Sequence, residues 1–182
     1  MAFLQGIRKK IGYFILKRKL PGLLRKKQFI NLADAGTIGI IFHQTDDKSF
    51  MAVQDFLKSL ASEGKQIAAV GYIESRKIPD FYTLRKGFNF FCIDDLNWFF
   101  QPEPAFINDF IEREFDILIN LSIENRFPVE YIYALSKAKF KTGKFRNGST
   151  HADLAIDIKD NRDVNYLIQH INHYLRMINK KQ

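Results

Sequence analysis

Residues 37–73 read TIGIIFHQTDDKSFMAVQDFLKSLASEGKQIAAVGYI, and this stretch decides the fold. Its first seven residues, TIGIIFH (37–43), form a nearly continuous apolar, β-branched run, the signature of a strand buried on both faces. Residues 46–62 then change period. Phe50, Val53, Phe56, Leu57 and Leu60 recur every three or four positions, as on the buried face of a helix. Thr45 stands where an N-cap belongs and Gly64 where a helix stops. QIAAVGYI (66–73) reads as a second buried strand. Strand, helix and strand of this length form a right-handed crossover between parallel neighbours.

The alternation continues toward the C-terminus. Residues 77–87 read as a loop around Pro79, 88–93 (FNFFCI) as a third strand and 94–104 as an irregular segment around Trp98. Residues 105–114 read as a helix, 115–121 (FDILINL) as a fourth strand and 128–138 as a helix with proline in its first turn. Residues 140–145 and 153–158 give two further short strands. Val164, Leu167, Ile168, Ile171, Tyr174, Leu175 and Ile178 mark a final helix, with Asp160 as its cap and Lys180–Lys181 at its negative end. The expected architecture is α/β: a Rossmann-like three-layer sandwich with a mostly parallel sheet, preceded by a basic amphipathic N-terminal helix. Residues 1–30 form the arm and residues 31–182 one domain.

Charge is divided unevenly between these parts. The chain has 28 Lys and Arg against 20 Asp and Glu, a net charge of +8. Arg8, Lys9, Lys10, Lys17, Arg18, Lys19, Arg25, Lys26 and Lys27 all fall in the first thirty residues, which contain no acid. The remainder is nearly neutral. Phe3, Leu4, Ile7, Ile11, Phe14 and Ile15 recur at helical spacing through the arm, and Pro21–Gly22 ends that helix. The basic triplets wrap around it, with Arg18 inside the apolar stripe. Nine unopposed cations point to an anionic partner. RNA or a ribonucleoprotein, whose phosphates release counterions, is the leading expectation. An anionic membrane surface is the alternative, and in a purely structural reading the apolar face packs on the body and the charges are simply solvated.

FDILINLS (115–122), FPVEYIYALSKAKFKTGKF (127–145) and DDLNWFF (94–100) resemble a small bacterial family known only as a domain of unknown function. The resemblance implies no activity. Residues 116–121 and 134–143 also resemble the N-terminal half of heptosyltransferase-like glycosyltransferases. Those enzymes hold their sugar nucleotide with a second Rossmann-like domain and a Gly-Asp element after the first strand. Here His43-Gln44-Thr45-Asp46-Asp47 follows that strand and the sequence ends before a second domain, so glycosyl transfer is not expected.

Ligands of a doubly wound sheet sit beyond the carboxyl ends of its strands. His43, Thr45 and Asp46 lie there after the first strand, Asp94 and Asp95 after the third, and Ser122, Glu124, Asn125 and Arg126 after the fourth. These form a candidate cleft for a small ligand or for acid–base chemistry, the third functional reading. The bland reading makes them caps and turns. No glycine in the first strand–helix loop cradles a phosphate, and no G-x-S-x-G elbow serves a nucleophile. Cys92, the single cysteine, reads as a buried inert thiol, which excludes an internal disulfide and a cysteine-built zinc site. His151, His170 and His173 lack metal-ligand spacing, and no metal or cofactor is expected. Enzymatic activity is therefore left open and disfavoured. Lys137, Lys139 and Lys141 alternate as if on one face of an edge strand. No apolar run is long enough to span a bilayer, and the expected location is cytoplasmic, with peripheral attachment to the inner membrane under the second reading.

Overall fold

The computed structural model describes residues 2–148 and 151–178, with side chains from Leu4 onward. The chain is an α/β protein. Its elements are α1 (Ala2–Lys19), β1 (Thr37–Gln44), α2 (Asp47–Ser62), β2 (Gln66–Ile73), α3 (Asp80–Thr83), β3 (Phe88–Phe91), α4 (Ala105–Glu112), β4 (Ile117–Asn120), α5 (Phe127–Leu135), β5 (Phe140–Lys144), β6 (Leu154–Ile156) and α6 (Val164–Met177). Among the described residues all six strands are parallel, in the order β3-β2-β1-β4-β5-β6. Winding therefore reverses between β1 and β4, and a crevice opens beyond their carboxyl ends.

Alternate residues of the strands feed two cores. Ile38, Ile40 and Phe42 of β1 pack with Phe50, Val53 and Leu60 of α2 and Leu167, Ile171 and Leu175 of α6. Ile41, on the opposite face, packs with Phe110 of α4, Phe127 and Ile132 of α5, and Leu16 of α1. At the amino ends Asp116 clamps β1 to β4. Its Oδ2 accepts from Gly36 N at 2.9 Å, Thr37 N at 3.0 Å and Thr37 Oγ1 at 3.1 Å, while Lys139 Nζ lies 2.8 Å from Oδ1. Together these donors hold its carboxyl at about 2, against the opposing effect of burial.

Several local expectations are corrected. The cap of α2 is Asp46, whose Oδ1 accepts from Ser49 N at 2.9 Å, and not Thr45. The cap of α6 is Asp163 rather than Asp160. Gly64, at φ +78°, does end the turn after α2. The 77–87 loop contains the single helical turn α3. Lys180 and Lys181 lie outside the described residues. The lysine alternation fails for a topological reason: β6 is the edge and β5 lies inside the sheet. Lys141 is only 2% exposed and donates to the carbonyls of Tyr133 and Ala134, at 2.9 and 3.0 Å, at the C-terminal end of α5.

The arm is not free. Gly12 and Leu16 are buried against the body, and Tyr13 and Leu20 pack partly on the same core. Tyr13 Oη donates to Glu130 at 2.7 Å, and its ring meets Phe127 edge-on at 4.6 Å. Contact at Gly12 is close enough to forbid a side chain. A Cβ there would stand 2.5 Å from the carbonyl oxygen of Phe99 and 2.9 Å from the Phe127 ring. Gly12→Ala is therefore expected to destabilise the protein, although alanine favours a helix by about 1 kcal/mol. Overpacking of this kind is worth about 1–3 kcal/mol. A thermal melt should fall by several degrees, and a rise would show that α1 is not seated at this contact.

Candidate functional site

The crevice at the carboxyl ends is built where β4 leaves the sheet. After Asn120 the ladder is continued by a side chain, as Ser122 Oγ accepts from His43 N at 3.0 Å. His43, 8% exposed, stacks on Tyr72 with ring centres 5.6 Å apart. Its Nε2 lies 3.8 Å from Glu74, beyond hydrogen-bond range, and its Nδ1 has no partner. Burial, then the nearby Arg126 charge, pushes its pKa below the usual histidine value. Both effects favour the neutral ring. Arg126, at the N-terminus of α5, bridges Glu74 at 2.9 Å and Glu124 at 2.8 Å. This ionic rail divides the crevice into two cavities.

The smaller cavity, about 200 Å³, is lined by His43, Thr45, Asp46, Ser49, Glu124 and Arg162 among others. Four of the candidate residues, His43, Thr45, Asp46 and Glu124, thus meet. Asp46 is occupied as a cap, accepting from Thr45 Oγ1 as well as from Ser49, and these bonds lower its pKa. Ser122 is buried behind them. Asp94 and Asp95 do not join this group. They form a turn of their own, in which Asp95 Oδ2 accepts from Cys92 N at 2.8 Å. Cys92 is buried, and desolvation raises its pKa. No acid–base pair is in hydrogen-bond contact with a histidine here. Among the described residues, no group of three or more His, Cys, Asp or Glu side chains is placed to hold a metal ion.

Glu74 and Tyr72 were not anticipated, although the rule that singled out the ends of the other strands applies equally to the end of β2. The larger cavity, about 470 Å³, lies on their side of the rail and beneath α1. It is lined by Gln5, Gly6 and Lys9 of the helix and by Tyr72, Glu74, Phe100 and Arg126 of the body, among others.

The nine cations of the arm divide into two sets. Arg8 faces the body: its Nε donates to the Trp98 carbonyl at 2.7 Å and its guanidinium lies over the Phe100 ring at 4.5 Å. Trp98, 48% exposed, is therefore a seat for the arm. Lys19 donates to Tyr131 Oη at 2.6 Å, and Arg25 makes a bidentate bond of 2.5 Å to Asp153, with Lys27 at 3.8 Å. Lys9, Lys10, Lys17, Arg18 and Lys26 are exposed, and no carboxylate pairs with them among the described residues. The apolar stripe of the helix also faces out. Leu4 is 55%, Ile7 37% and Phe14 55% exposed, with Arg18 laid over the Phe14 ring at 4.6 Å. α1 thus buries one apolar side at Leu16 and leaves a second apolar side, at Leu4, Ile7 and Phe14, in solvent. Among the described residues no helix is long and apolar enough to cross a membrane.

The chain belongs to a family of unknown function, DUF6913, whose profile matches residues 8–178. That match takes in the sheet, the crevice and most of the arm. A search of curated proteins finds no match.

Proposed function

We propose that the protein attaches peripherally to an anionic lipid surface through the outer face of α1. The observation that carries this reading is the outward apolar stripe of Leu4, Ile7 and Phe14, flanked by Lys10, Lys17 and Arg18. In sequence the charge wraps around the helix, which speaks against a helix lying flat on a bilayer. That objection loses its force once Arg8 and Lys19 are engaged by the body and Lys9 lines the cavity, since Lys10, Lys17 and Arg18 share a side with the apolar stripe.

Magnitudes favour lipid over RNA. Each cation near an anionic leaflet contributes about 1 kcal/mol, and each half-exposed large side chain about 1 kcal/mol on insertion. Three of each give about 6 kcal/mol, comparable to one myristoyl chain and hence a reversible attachment. A phosphate-lined RNA groove would use the cations but leave Ile7 and Phe14 in water. Flotation on vesicles is the test. Binding is expected to vesicles of phosphatidylcholine with roughly one-third phosphatidylglycerol, to weaken as salt rises, and to be absent with phosphatidylcholine alone. Failure to float with the anionic vesicles overturns the proposal, and nuclease-sensitive retention on RNA in its place would move the function to the nucleic-acid reading.

A further inference from the structure

The larger cavity is distinct from the outer apolar stripe of α1, since Gln5, Gly6 and Lys9 line it while Ile7, Lys10 and Phe14 do not. Its volume of about 470 Å³ is that of a small-molecule site, and its walls are mainly apolar: Ile93, Leu96, Phe100, Phe127 and Pro128, with Tyr72. We propose that this cavity binds an amphipathic monoanion, a molecule with an apolar chain or ring body and a single acidic group. The acid would meet Lys9 at the rim, and the body would lie against the aromatic wall.

Charge decides the class. The lining holds three ionised side chains, Lys9, Arg126 and Glu74. Arg126 is already bound to two carboxylates, Glu74 at 2.9 Å and Glu124 at 2.8 Å. Its charge is spent within the protein, and the rail of three groups carries a net negative charge. Lys9 has no ion pair or hydrogen bond among the described residues. One cation is therefore available, against a fixed carboxylate on the far wall. A phosphate chain or nucleotide would bring a second negative charge against Glu74, and the loop after β1 has no glycine to receive it. A neutral ligand would leave Lys9 idle, and a cation would be repelled by it. Tyr72, with its hydroxyl pushed up to about 12 by burial, adds a neutral polar group to the cavity wall.

Gly6 supplies a clean way to close the cavity. A Cβ built there meets nothing within 4 Å, so Gly6→Phe adds bulk at the cavity wall without straining the helix. The probe is dodecanoate, below its micelle concentration and without vesicles, followed by calorimetry. Saturable binding at one site is expected, with dodecylamine and AMP failing to bind. Lys9→Met, which keeps the stem and removes the charge, is expected to weaken dodecanoate about tenfold, and Gly6→Phe to abolish binding. Lys10→Met, on the outer face, is expected to bind as wild type does. Absence of saturable binding up to about 1 mM, equal binding of dodecylamine, binding of AMP, or wild-type affinity in both Lys9→Met and Gly6→Phe would each overturn the proposal. Because no vesicle is present, failure here leaves the attachment reading untouched, and the converse holds for vesicle binding lost in outer-face variants.

Discussion

Ile7→Asp combined with Phe14→Asp is expected to release the protein from anionic vesicles, lowering its partition coefficient about 30-fold or more. Two half-exposed apolar groups would no longer enter the interface, a loss of about 2 kcal/mol. Two new carboxylates would face the phosphates, offsetting part of the attraction of Lys10 and Lys17 at about 1 kcal/mol per charge. Every 1.4 kcal/mol is a factor of ten. Folding should not change by more than about 0.5 kcal/mol, since both side chains stand on the exposed face of α1. The thermal melt of the double variant is therefore an internal control. Lys9→Met should leave flotation unaltered, because Lys9 faces the cavity rather than the lipid. Full flotation of a well-folded double variant would exclude the outer face of α1 as the attachment surface.

Most of the fold could be read from the sequence, because the period of the apolar residues changes sharply between elements. The run at 37–43, the helical spacing from Phe50 to Leu60 and the run at 66–73 locate β1, α2 and β2 within a residue or so of their observed ends. Short-range choices were less legible. Thr45 and Asp46 are both good caps, and only backbone geometry decides between them: Asp46 is the extended residue, at φ −157° and ψ 163°. The inward face of α1 was hidden for a different reason. Basic and apolar residues occur all round this helix, so its amphipathic pattern does not say which side packs. Gly12 decides, because its missing side chain lets the helix backbone approach Phe99 and Phe127. A glycine inside a helical run, four residues before Leu16, was the available signal. The crevice was half legible. Polar residues after β1 and β4 do gather there, but Asp94 and Asp95 turn away because the chain makes its own turn after β3. Glu74 is fixed in the site by Arg126, a pairing that depends on how far β2 and α5 project.

Lys141 should give the molecule an unusual dependence of stability on alkaline pH. Burial, reinforced by the Arg25 and Lys27 charges and opposed by Asp153, lowers its pKa to about 7. A neutral amine has two N–H groups, and Lys141 has two acceptors, the carbonyls of Tyr133 and Ala134. The third proton of an ammonium would find no such partner. In the unfolded chain the group titrates near about 10.4. Between these values the unfolded state binds the extra proton, so stability rises with pH through this window and levels off above it. A difference of about three pH units corresponds to about 4 kcal/mol, or a rise in Tm of roughly 10 °C for a chain of this size. The climb ends near about pH 10, where unfolded tyrosines begin to ionise, while Tyr13 and Tyr133 are held neutral by burial in the folded protein. Melting the wild type and Lys141→Met from pH 6 to pH 10 separates this from other titrations. The variant keeps the volume but neither hydrogen-bonds the two carbonyls nor ionises. Its deficit should be small at pH 6, where the wild type carries a buried charge, and should widen steadily toward pH 10. Two parallel curves would show that another group sets the slope.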